Sequence, residues 1–112
     1  MEEKNHLPPL LLRILTPEGV LAEVRCDAVQ LTLSDDTAGR GGGGIGIRRG
    51  HAEAILALQR GPVSARTGSE EVYRATLRGG FAAVRHDVIT VLTDGAAEEE
   101  QFAKAPAERY ER

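Results

Sequence analysis

The sequence predicts an all-β domain, a two-sheet antiparallel β-sandwich of about 8–10 short strands. Two observations predict it. Apolar residues recur with a period of two through several short runs, as in a strand with one buried face. Clusters of Gly, Pro, Asp and Ser interrupt those runs at intervals of roughly 8–12 residues, the spacing of turns between antiparallel strands.

In chain order, residues 1–9 form a flexible lead and residues 10–97 the sandwich; residues 98–112 are an acidic tail. Residues 10–15 (LLLRIL) are the first strand. Thr16, Pro17, Glu18 and Gly19 supply a turn, since Pro presets φ and Gly accepts positive φ. Residues 20–25 return as a second strand. Residues 28–33 alternate cleanly, with Val29, Leu31 and Leu33 on one face and Gln30 and Thr32 on the other. Residues 34–44 (SDDTAGRGGGG) read as a flexible loop. Ile45, Gly46 and Ile47 make a brief strand, and residues 48–51 turn. Residues 53–58 fit either a short helix or a strand, closed by Gly61 and Pro62. Residues 63–67 and 72–77 are strands around a hairpin-like connection. Gly79 and Gly80 break the chain. Residues 81–84 and 88–92 follow, and the latter run is apolar on both faces except for Thr90, as suits a central strand. Residues 96–112, rich in Ala and Glu and carrying Pro106, form at most a frayed helix.

Bulk properties exclude several function classes. A chain of 112 residues makes one domain. Its net charge of −3 argues against nucleic acid as a partner, because phosphate binding needs a basic surface. The single cysteine, Cys26, has no disulfide partner and no Cys-x-x-Cys holds zinc. No run of 18 apolar residues occurs, and the N-terminal stretch does not read as a signal peptide, so no membrane insertion is expected.

Candidate chemistry is sparse. Gly41, Gly43 and Gly46 match G-x-G-x-x-G after a strand, but a row of glycines matches trivially, and a dinucleotide fold needs βαβ units that do not fit here. No Gly-Lys-Ser/Thr follows, so a P-loop is excluded. His6, His51 and His86 lack the spacing of a helical metal site. No serine sits in a G-x-S-x-G context. No catalytic, cofactor-binding or metal residue is therefore assigned, and no cofactor is expected. Arg48 and Arg49 form a basic tip of the kind that grips a carboxylate.

Four segments in order carry a family likeness: LRILTPEGV from residue 12, AVQLTL from residue 28, GIGIRRGHAEAI from residue 44 and RGGFAAVRHDVITVLTD from residue 78. Together they resemble the epsilon subunit of F-type ATP synthases, over about residues 10–97. The matched features are Gly44 with the strand at Ile47, the Gly50-His51 turn, Gly79-Gly80-Phe81, and residues 88–94. The resemblance implies a non-catalytic rotor subunit on the cytoplasmic face of the membrane, peripheral through the synthase complex. One sandwich face would pack on the gamma subunit, and Arg48, Arg49, Gly50 and His51 would form a tip facing the c-ring. Gly79, Gly80 and Phe81 would be a structural turn. Val29, Leu31, Leu33, Val63, Leu77, Phe81, Ile89 and Val91 are expected in the core or on the gamma-facing surface, and one outer face should stay apolar.

The sequence departs from the family at Arg48-Arg49, where Leu-Pro is usual, at Glu53 (usually Pro) and at Arg78 (usually Ser). The loop before Gly44 is also longer. All of these changes are expected at the end that meets the ring. The family's C-terminal helical pair has no room in residues 96–112, so neither ATP binding nor an extended inhibitory form is expected. The alternatives are a free-standing sandwich interaction module, which would lack an apolar docking sheet, and a nucleotide binder, which would need a helix starting near Ala52.

Overall fold

The computed structural model describes residues 7–34 and 43–101. These hold eight strands: β1 (Leu10–Thr16), β2 (Gly19–Cys26), β3 (Ala28–Leu33), β4 (Gly43–Arg48), β5 (Ala54–Thr67), β6 (Glu70–Arg85), β7 (Val88–Leu92) and β8 (Ala96–Gln101). Pairing runs β2-β1-β7-β6-β5-β3-β4, with β8 added on β6. Every pair is antiparallel except β1 with β7, which run parallel.

Two long strands make this path a sandwich. On β5 the buried side chains are Leu56 and Leu58, then Val63 and Ala65; on β6 they are Val72, Tyr73, Ala75 and Leu77, then Ala82 and Val84. The parity changes at residues 59–61 of β5 and at Gly79-Gly80 of β6. Each strand therefore turns its buried face at that corner and serves both layers. One layer is β2-β1-β7 with the ends of β5 and β6 around Leu56 and Ala82. The other is β8, the remaining parts of β6 and β5, β3 and β4.

The sequence reading ended a strand at Gly61-Pro62 and another at Gly79-Gly80. Pairing instead continues through both sites, with Leu58 opposite Gly80 and Arg60 opposite Arg78, because both strands bend together. Pro62 is tolerated because the β3–β5 register breaks between Gln30 and Leu33, where its missing N–H falls. The Thr32 side chain fills the space a Gly61 side chain would take, and its hydroxyl donates to the Pro62 carbonyl at 2.9 Å.

Residues 53–58 resolve as strand from Ala54 onward. The helical expectation for the tail fails over its first residues: residues 96–101 are β8, paired with Tyr73 to Leu77 of β6. Residues 102–112 lie outside the described ones.

Apart from Tyr73, the large side chains of the core are aliphatic. Leu10, Leu12, Ile14, Val24, Ile89 and Val91 of one layer meet Val29, Leu31, Ile47, Val63, Ala65 and Leu77 of the other. Of the eight residues expected in the core or on the docking face, seven are buried and Phe81 lies outside at 56% exposure.

Candidate functional site

The outer face of the β2-β1-β7-β6-β5 layer carries an apolar row. Ala57 pairs with Phe81, Phe81 with Leu92, Leu92 with Leu15, and Leu15 with Val20. Direct cross-strand partners share a face, so these five side chains run side by side across five strands, over about 19 Å at the usual strand spacing. Phe81, Leu92 and Val20 are all more than half exposed, and Ile55 one row away is 78% exposed. The rest of that second row is Ala83, Thr90 and the Arg13–Glu23 ion pair at 2.7 Å, which bounds the apolar surface at one side. The sequence reading anticipated an apolar face and named Phe81. It did not place Val20, Ile55 or Leu92 there; the only signal was that residues 88–92 are apolar at nearly every position.

At the Thr16-Pro17 end of β1, beside the middle members of this row, an open cleft of about 520 Å³ has Leu15, Pro17, Phe81 and Leu92 along it, with Arg78 and Asp94 among its walls. Gly79 and Gly80 form its back, at the bend of β6, with φ of +95° and +128°.

The basic tip lies at the other end of the molecule. His51 N–H donates to the Arg48 carbonyl at 3.2 Å and closes the turn. Gly50, with φ of +83°, donates its N–H to the Asp87 carboxylate at 2.8 Å. Asp87 belongs to the two-residue turn between β6 and β7, where His86 and Asp87 both have positive φ, as a type I′ hairpin requires. The Asp87 carbonyl also accepts the Leu11 N–H at 3.0 Å. The tip is thus held by one side chain and presents Arg48 and Arg49 to solvent, with no ion pair among the described residues. His51 Nδ1 sits 2.9 Å from the Ala52 carbonyl, which can only accept, so Nδ1 carries the proton. Arg85 and His86 each approach Glu53, at 3.7 and 3.6 Å.

Gly43 and Arg48 close opposite ends of β4. Arg78 stands at the cleft and Arg48-Arg49 at the far end, so departures from the family pattern that the sequence reading put at one end are separated by about the length of a strand, while residues 35–42 of the glycine-rich stretch lie outside the described ones.

Gly43 and Gly46 lie in β4, and Gly41 is outside the described residues. The helix a dinucleotide site needs near Ala52 is replaced by β5. Among the described residues no group of three or more His, Cys, Asp or Glu could hold a metal. Cys26 is buried in the core, and loss of solvation pushes its thiol up to about 12, so it stays protonated and unreactive. Tyr73, which alternation put on one face with Ala75 and Leu77, is fully buried with its hydroxyl donating to Glu99 at 3.0 Å. Burial first, and then the Glu99 charge, hold that phenol well above its usual range.

Residues 9–99 match the family model for the beta-sandwich domain of the ATP synthase Delta/Epsilon chain. The chain belongs to this family. Its curated relatives include the ATP synthase epsilon chain of Chromohalobacter salexigens, 44% identical over 68 residues, which are 59% of this chain and 47% of that one. The epsilon chain of Nostoc is 32% identical over 77% of this chain and 58% of its own. The chloroplastic epsilon chain of Pyropia yezoensis is 31% identical over 89% and 69%. The chain thus spans about half to two thirds of the length of these epsilon chains. Among solved structures, a chain of the Euglena gracilis mitochondrial ATP synthase OSCP/F1/c-ring structure superposes with a TM-score of 0.64 at 17% identity, covering 88% of this chain and 59% of that one. A chain of the Tetrahymena thermophila mitochondrial ATP synthase central stalk/c-ring structure gives 0.58 at 13% identity, covering 80% and 66%. These two likenesses show a shared fold.

Proposed function

We propose that this chain is a non-catalytic central-stalk subunit of a rotary ATP synthase, joining the gamma subunit to the c-ring and so coupling ion flow to ATP synthesis or hydrolysis. The observation that carries this reading is the apolar row of Ala57, Phe81, Leu92, Leu15 and Val20 on one outer sheet face. An exposed apolar surface bounded by an ion pair is the form of a protein docking site, and the resemblance to epsilon subunits implies the gamma subunit as its occupant. The close-packed sandwich beneath that face supports the role, since a rotor part must pass torque without deforming. The chain sits at the membrane through the complex, on its cytoplasmic face, without entering the bilayer. It takes no part in nucleotide chemistry. The gamma subunit from the same genome, mixed with the chain and run on a sizing column, should elute with it as a one-to-one complex; separate elution of two folded proteins would overturn the reading.

The Arg48-Arg49 tip, held by Asp87, is the contact to the ring in this proposal. Two adjacent guanidiniums fit acidic or polar loops. Reversal of both charges, Arg48→Glu with Arg49→Glu, should weaken binding to the purified c-ring by about tenfold while the melting temperature stays put, because both side chains are exposed. Unchanged ring affinity would remove the tip from the contact.

A further inference from the structure

Arg60 of β5 and Arg78 of β6 are direct cross-strand partners at the corner of the sandwich, so both side chains leave the same face. Both are exposed, and neither guanidinium has a hydrogen bond or ion pair among the described residues. Like charges in that relation repel, so folding gives no reason for the pair. Arg78 also stands on the wall of the cleft that has Leu15, Pro17, Phe81 and Leu92 along it.

We propose that Arg60 and Arg78 together grip a carboxylate of the protein segment that covers the apolar row, an acidic side chain next to an apolar one seated in the cleft. A carboxylate suits two guanidiniums because its two planar oxygens each accept from a separate fork. The apolar side of the cleft favours a side chain over a solvated ion. Asp94 on the same cleft repels a multiply charged phosphate or an anionic membrane surface more strongly than a single carboxylate. The occupant is therefore a segment of the gamma subunit, and this inference rests on the stalk reading above.

The test is calorimetric titration of the full chain with the gamma subunit, for the unsubstituted protein, R60Q, R78Q and the double variant. Each single substitution should weaken binding about tenfold and flatten its salt dependence, and the double should lose less than the product, because one carboxylate serves both arginines. The free chain carrying R78Q should melt about 2 °C higher, since the cross-strand repulsion is gone. A double variant that binds gamma within twofold of the unsubstituted chain overturns this inference and leaves the stalk reading standing. No binding by the unsubstituted chain overturns both. Binding to phosphatidylglycerol vesicles that the double variant loses, with gamma affinity intact, overturns the protein occupant in favour of a lipid headgroup.

Discussion

Gly80 shows how much one residue decides. Its φ of +128° is open to glycine alone, and a Cβ there would overlap the Leu92 carbonyl oxygen on the neighbouring strand. The corner of β6 needs this close approach, because Leu92 must remain paired with Phe81 while the strand turns into the other layer. Gly80→Ala should cost about 3 kcal/mol, read as a fall in the denaturation midpoint, because strain and overlap add. A midpoint unchanged by that substitution would mean the corner is not tightly held. The glycine pair was legible as a special site in the sequence. Its reason was not, since the oxygen it avoids belongs to a residue twelve positions on. The same holds for Asp87: a turn was expected around His86, but the carboxylate that holds Gly50 is visible only when the two turns meet.

Among the elements, β8 departs most from its local preference. Ala and Glu favour helix, and a strand of three successive glutamates has weak intrinsic support. Its place is set by the open edge of β6 and by Glu99, whose carboxylate reaches the buried Tyr73 hydroxyl. An acidic strand also blunts a sheet edge against pairing with other chains. Tyr73→Phe should lower stability by about 1 kcal/mol at neutral pH and speed amide exchange in residues 96–101 ahead of β3. The pH dependence follows from the raised phenol. The unfolded tyrosine ionises near its ordinary value of 10.0 and the folded one does not, so the unsubstituted chain loses stability as pH rises past that point. Tyr73→Phe lacks that loss, and the gap between the two should narrow above pH 10. A gap that is constant or widens would show that the hydroxyl does not hold β8. By contrast β3 was read correctly from alternation alone, because one of its faces is buried throughout and nothing overrides the period.

For the whole molecule, the fold class and the family were legible because they rest on local patterns: alternation, turn residues and four ordered segments. The docking face was only half legible. Its members come from residues 15, 20, 57, 81 and 92, and the register of four strand pairs brings them into line. Nor does the linear order show that Arg78 and the arginine tip lie at opposite ends. The resulting body has an apolar face between a cleft end and a basic end, a shape suited to lie between two partners. The measurement that tests this most directly is the affinity of the chain for the gamma subunit with and without Phe81→Ser. Phe81 is exposed, so the variant should fold normally, yet it should bind about 2 kcal/mol more weakly, roughly thirtyfold, as expected for a central aromatic anchor. Equal affinity in a folded variant would contradict the assignment of this face as the seat of the stalk partner.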